Sequence, residues 1–222
     1  MLNIDDITNT IIQGDCLEVM KQMPDNCVDL VLTDPPYGKK WSRGKHGYGQ
    51  SKNNMETVHS VSWDGNIPPI EYFTQIQRIS KNQIIFGGNY FSHYLPASNC
   101  WLFWDKKADM NTQNPFADGE LAWTSFNKVV KKYTFRQCGF IRDTKDKREH
   151  PTQKPSELFS SILKDYSGED AVIFDPFLGS GTTAIACMNT NRNYIGIEIS
   201  PEYCEIARKR VQEAKDSMGL FK

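Results

Sequence analysis

The stretch VDLVLTDPPYGKKW, residues 28–41, sets Asp34, Pro35, Pro36 and Tyr37 directly behind an apolar run. Neither proline has an N–H to donate, and each has a fixed φ. The residue ahead of each is pushed toward an extended conformation. The product is a stiff elbow whose carbonyls need partners, with a carboxylate and an aromatic ring beside them. A plain turn satisfies this pattern. So does a site that grips something planar carrying an amino group, with the acid and a carbonyl as acceptors and the ring as a stacking face.

A second constellation lies in FDPFLGSGTTAIA, residues 174–186. Asp175 ends an apolar run, and Gly179 and Gly181 form a turn into a helix. Glycines there let a ligand approach the backbone, and a helix N-terminus favours a negative group. Glu198 ends the following apolar run, where a carboxylate can accept hydrogen bonds from both hydroxyls of a ribose. The pattern Gly179-x-Gly181-x-x-Ala184 also satisfies a dinucleotide-binding fingerprint, so an NAD-type cofactor stands as an alternative at this point. A purely structural turn is the third reading, and Glu198 speaks against it.

These residues need elements to carry them. Residues 9–15, 28–33, 82–88, 100–105, 119–126, 170–177 and 193–199 read as strands, two of them ending on Asp15 and Asp175. Over 69–79, Ile70, Phe73, Ile76 and Ile79 recur at helical spacing. Residues 155–166 open on Pro155 and put Leu158, Phe159, Ile162 and Leu163 on one face. A helix follows the glycine turn, and Ser200 with Pro201 starts the last one. Strands alternating with helices predict a largely parallel, doubly wound sheet. Residues 38–66 have no hydrophobic period and read as a long functional loop, and 106–118 as a polar link.

The chain of 222 residues has a net charge of −1, unevenly spread. Residues 39–45 hold four basic side chains and no acid, and 128–148 hold eight Lys or Arg against Asp143 and Asp146. The remainder is acidic by difference. An acidic body with two basic segments fits a polyanion gripped on one face, although either run alone also reads as a solvated loop. The six cysteines include no C-x-x-C spacing, which speaks against a zinc site or a disulfide framework. The opening MLNIDDITNT resembles no signal peptide, and no apolar run approaches a membrane span. A cytoplasmic protein with reduced thiols, no metal and no membrane partner is the expectation.

Three motifs in order carry a family resemblance. FDPFLGSGTT resembles the S-adenosylmethionine-binding motif of DNA amino-methyltransferases, TDPPYG their catalytic motif, and HPTQKP (150–155) the segment that precedes the cofactor motif. QGDCLEVM and GIEISPEYCEIARKRV match the family too. The catalytic motif comes first and the cofactor motif last, as in its β group, and the likeness covers residues 11–38 and 82–213.

The resemblance implies one Rossmann-like domain over residues 1–222. It would have a seven-stranded sheet, one strand antiparallel, in circularly permuted order with the cofactor strand beside 28–33. It implies S-adenosylmethionine as cofactor, with Asp175, Pro176, Phe177, Gly179, Gly181 and Thr182 around the methionine part. Glu198 would take the ribose, and Asp15 the adenine amino group with Cys16 beside it. Thr152 and Lys154 would lie near the carboxylate end, a surface lysine being the other reading of Lys154. Asp34 and the Pro35 carbonyl would accept the two N–H bonds of an exocyclic amine, with Pro36 stiffening the turn and Tyr37 stacking on the base. Adenine N6 is the expected acceptor, from the Asp in first position, and cytosine N4 the alternative. Cytosine C5 is disfavoured because no Pro-Cys pair occurs.

The partner implied is DNA, as a duplex with a flipped base or single-stranded. Lys39, Lys40, Trp41, Arg43 and Lys45 of the 38–66 loop would contact it, with Arg136, Arg142, Lys145, Lys147 and Arg148 from the short 106–150 recognition insert. A homodimer is one way such a short insert would suffice. A nicotinamide oxidoreductase and a non-catalytic nucleic-acid-binding module are the readings from other classes. The first leaves DPPY and HPTQKP without a role, and the second leaves Asp34 and Glu198 without one.

Overall fold

The computed structural model describes residues 1–38, 67–108, 117–138, 141–143 and 153–219. In chain order the elements are α1 (Ile4–Ile7), β1 (Thr10–Gln13), α2 (Cys16–Met20), β2 (Val28–Thr33), α3 (Ile70–Ile79), β3 (Ser80–Phe86) and a 3₁₀ turn at Gly88–Tyr90. There follow β4 (Trp101–Asp105), β5 (Gly119–Thr124), β6 (Lys131–Thr134), and the small hairpin β7 (Gln137–Cys138) and β8 (Ile141–Arg142). The chain continues with α4 (Ser156–Tyr166), β9 (Val172–Asp175), α5 (Thr182–Met188), β10 (Asn193–Glu198) and α6 (Pro201–Gly219).

The apolar runs make their strands because both faces of the sheet are covered. Leu30 and Leu32 of β2, Ile84 and Phe86 of β3 and Ile173 of β9 point into one core, with α4 and α5 over it. Val31, Ile85 and Phe174 point into the other, under α3. Neighbours along a strand alternate between two apolar layers, so the sequence reads as a continuous hydrophobic run. Phe73, Ile76 and Ile79 are the buried face of α3, whereas Ile70 in its first turn is 49% exposed and lies outside the core.

The main sheet has eight strands in the order β1-β10-β9-β2-β3-β5-β4-β6. All its pairings are parallel except those of β5, which runs against both β3 and β4. The expected single antiparallel strand is therefore β5. The expected count of seven is exceeded by one, because Lys131–Thr134 pairs with β4 as an added edge strand. Its burial pattern is exposed, exposed, buried, exposed, with only Tyr133 inside, so its sequence carries little strand signal. β9 lies next to β2, with Leu30 opposite Ile173 and Val31 opposite Phe174. That register brings the loops after both strands to the same end of the sheet, where ligands of open α/β folds bind.

Candidate active site

β2, β3, β9 and β10 deliver their carboxyl ends to one cleft of about 1190 Å³, while β5, running the other way, delivers Glu120 from its amino end. That exceeds the about 300–1,000 Å³ usual for a single-ligand site.

At the elbow the Tyr37 hydroxyl donates to Asp34 Oδ1 and the Lys154 ammonium to Asp34 Oδ2. The Tyr37 ring stacks on Tyr90, centroids 5.0 Å apart and planes 26° off parallel. A glycine is needed behind it: Gly87 has φ +69, and a Cβ there would overlap the Tyr37 ring. Burial, then the Asp34 charge, push the Tyr37 hydroxyl well above the usual phenol range, so it remains a donor.

The glycine turn is tied to β10. Glu198 Oε2 accepts from the Gly179 N–H and Oε1 from the Ser200 N–H, each at 2.8 Å. Burial raises the Glu198 carboxyl against those backbone donors. Gly179, at φ +55, leaves open space where a side chain would stand. Asp175 is 3% exposed and fully engaged. Its Oδ1 accepts from Thr33 Oγ1 at 2.7 Å and the Phe177 N–H at 3.1 Å, and its Oδ2 from Thr183 Oγ1 at 2.5 Å. Burial outweighs these donors and raises its carboxyl to about 6. Asp15 caps α2 by accepting from the Leu17 N–H at 2.8 Å. Tyr72 of α3 reaches the same Asp15 oxygen at 3.3 Å and lays its ring along Phe177, centroids 5.9 Å apart. Burial, then Asp15, raise the Tyr72 hydroxyl to about 12. Burial drives the Cys16 thiol well above its usual range, which keeps it protonated.

Between the two halves sits Lys154, buried with 6% exposure. Burial disfavours its charge, but Asp34 and then Glu120 outweigh that and hold the ammonium above the usual lysine range. Glu120 is burdened by burial too, yet Lys154 and Lys106 hold its carboxyl down at about 2.

The family model for N6/N4 DNA methylases, described as DNA methylase, matches residues 92–209, more than half of the chain. The chain belongs to this DNA methylase family. Type II methyltransferase M.HinfI of Haemophilus influenzae is 28% identical to it over 263 aligned residues, 96% of this chain and 71% of that one. Among solved structures, the complex of M1.HpyAVI with SAM superposes with a TM-score of 0.58 at 24% identity, covering 90% of this chain and 98% of that one. PvuII DNA methyltransferase, described as cytosine-N4-specific, gives 0.61 at 17% identity, covering 93% and 90%. Both share the methylase's fold. With TDPPYG ahead of FDPFLGSGTT, the methylase has the β-group order of motifs.

Of the residues singled out by sequence, Asp15, Cys16, Asp34, Pro35, Pro36, Tyr37, Lys154, Asp175, Pro176, Phe177, Gly179, Thr182 and Glu198 all line this cleft of the methylase. Gly181 is not among them. At φ +90 it precedes α5 and packs on α6, a Cβ there falling 3.0 Å from that of Ala207. Lys154 is no surface lysine. Arg136 is exposed and ion-paired with Asp143 at 2.8 Å. Thr152, Lys39, Lys40, Trp41, Arg43, Lys45, Lys145, Lys147 and Arg148 lie outside the described residues, and Arg142 is described only as part of β8.

Sequence reading missed Glu120, Lys106 and Tyr72, all of which line the cleft. The available signal for Glu120 was strand direction: in an antiparallel strand the residue at the amino end meets the site. Among the described residues no group of three or more His, Cys, Asp or Glu is arranged to hold a metal, and no helix is long and apolar enough to cross a membrane.

Proposed function

We propose that this methylase transfers a methyl group from S-adenosylmethionine to the exocyclic N6 of an adenine flipped out of DNA. The observation that carries the reading is that the DPPY elbow and the glycine turn open onto one cleft from adjacent strands. The residues of the cleft fit the cofactor. The bare backbone at Gly179 leaves room for a ligand to lie against it, Glu198 keeps spare lone pairs for ribose hydroxyls, and the Tyr72 and Phe177 rings flank the approach. Asp15, at the mouth, can accept from an adenine amino group, and Asp175 holds the turn in shape through Thr33 and Thr183. When bound, S-adenosylmethionine supplies an electrophilic methyl group whose carbon–sulfur bond breaks as the carbon–nitrogen bond forms.

The chain's own part is positioning. An aromatic amine is a poor nucleophile because its lone pair is delocalised into the ring. Asp34 and the Pro35 carbonyl, taking its two N–H bonds, favour a more tetrahedral nitrogen that can attack. The ammonium formed is acidic and sheds its proton without help from a strong base. A base stacked in a duplex cannot reach acceptors at the floor of a cleft, so flipping is required. Lys39, Lys40, Trp41, Arg43 and Lys45, with Arg136, Arg142, Lys145, Lys147 and Arg148, are our candidates for the DNA backbone contacts. The chain acts as one domain, with 106–150 as a short recognition insert. Asp in the first position of the motif favours adenine over cytosine by resemblance to the family.

The test uses methyl-labelled S-adenosylmethionine, mixed genomic DNA and mass analysis of the nucleosides. Label in N6-methyldeoxyadenosine is expected, and label in N4-methyldeoxycytidine would overturn the choice of base while leaving the reaction. Asp34→Ala should abolish transfer and retain cofactor binding, and turnover near wild type would remove Asp34 from the mechanism.

A further inference from the structure

Asp34 enters this structure with both oxygens in use, Oδ1 by the Tyr37 hydroxyl and Oδ2 by the Lys154 ammonium. A carboxylate neutralised by a contacting ammonium is a weaker acceptor for an incoming amine, and the ammonium occupies the direction from which that amine must donate. Lys154 cannot simply withdraw. It is 6% exposed, its chain runs between the Tyr37 and Phe86 rings, 5.7 and 5.3 Å from its Nζ, and an unpaired buried ammonium is expensive. A second acceptor is already in reach. Glu120 Oε2 lies 3.1 Å from Lys154 Nζ, is buried, and has no hydrogen bond of good geometry. The other Glu120 oxygen is taken by Lys106.

We infer that Glu120 is a positioning residue that receives the Lys154 ammonium when the substrate amine arrives, freeing Asp34 to accept the amine's N–H. This rests on the reading of Asp34 as that acceptor. The four charges balance, two carboxylates against two ammonium groups, so the exchange moves no net charge into the cleft. Only a small shift of the ammonium is needed, because both carboxylates already contact it. The Lys154 backbone stays in place meanwhile: its carbonyl faces Thr182 Oγ1 at 3.5 Å, and the neighbouring Gln153 carbonyl accepts from Gln137 Nε2 at 2.9 Å. With Lys154 drawn to Glu120, Asp34 regains its full charge opposite the nitrogen on which positive charge develops.

The experiment compares kcat and the Kd for S-adenosylmethionine in wild type, Glu120→Gln, Lys154→Met and the double variant on genomic DNA. Glu120→Gln removes the receiving charge and leaves Lys154 on Asp34, and kcat should fall about a hundredfold with cofactor affinity within threefold of wild type. Adding Lys154→Met should raise kcat at least tenfold above that of Glu120→Gln alone, because no cation then competes for Asp34 Oδ2. Glu120→Asp, which keeps the charge, should lie within tenfold of wild type and carries the comparison if the Gln variant does not fold. A double variant no faster than Glu120→Gln, or a Glu120→Gln enzyme at wild-type kcat, overturns the inference. Wild-type enzyme that methylates no DNA would instead overturn the function on which it rests.

Discussion

Three of the carboxylates that line the cleft, Glu198, Glu120 and Asp175, are each held in a different state by what surrounds them. Backbone N–H groups hold Glu198, two lysines hold Glu120 down at about 2, and burial lifts Asp175 to about 6. Asp175 has no cation beside it, only the Thr33 and Thr183 hydroxyls and the Phe177 N–H. Its folded value is raised above the ordinary 3.8. Its contribution to stability is therefore fully present below about pH 4 and is lost as pH rises through about 6. A shift of about two units corresponds to about 3 kcal/mol at neutral pH. Asp175→Asn removes the titration and keeps an acceptor for one hydroxyl. About 1.4 kcal/mol of the wild-type contribution is still present at pH 5 and none at pH 8, so over that range the melting temperature of wild type should fall relative to that of the variant by roughly 3–6 °C at 2–4 °C per kcal/mol. Parallel Tm curves over that range would show that Asp175 does not titrate there.

The elbow is a joint between elements. β2 carries Asp34 to its end, the turn after β3 supplies Gly87, and the 3₁₀ segment Gly88–Tyr90 supplies the ring that covers Tyr37. Gly87→Ala puts a Cβ into the Tyr37 ring and an L residue into the left-handed region, itself about 1–2 kcal/mol. Turnover should drop at least tenfold through the displaced ring while the Kd for S-adenosylmethionine stays near wild type. Unchanged turnover would mean that Tyr37 need not be seated. The same geometry explains what sequence could and could not disclose. Strand β2 follows 28–33 to the residue because a doubly covered strand is a continuous apolar run ended by a proline pair. The glycine turn is legible because its chemistry is local. Lys154 and Glu120 find each other and Asp34 only through the sheet order, and no local pattern encodes that. The five-residue α2 and the mostly exposed β6 bury too little for a periodic signal.

Across the whole molecule the sheet has a site end and an opposite end, and the basic residues are divided between them. β6 runs parallel to β4, so Lys131 lies beside Leu102 near the start of β4 and Thr134 beside Asp105 at the site end. Lys131 pairs with Asp165 at 2.7 Å, and Lys128 donates to the Asp165 carbonyl at 3.2 Å, near the last turn of α4. These two lysines are spent on a helix end at the opposite end of the sheet from the cleft, and neither is among the candidate DNA contacts. On the cleft side, the Gln137 N–H donates to the carbonyl of Lys106 at 3.0 Å. Salt dependence separates the groups. Each phosphate neutralised contributes about 0.9 to the slope of log K against log salt on duplex DNA. Replacing Lys39, Lys40, Arg43 and Lys45 together with Gln should shallow that slope by up to about 3.6. Replacing Lys128 and Lys131 with Gln should leave it unchanged, since a duplex docked over the cleft does not reach the far end of the sheet. A slope lost with Lys128 and Lys131 instead would put the DNA on the opposite face from the elbow, and no base could then be delivered to Asp34.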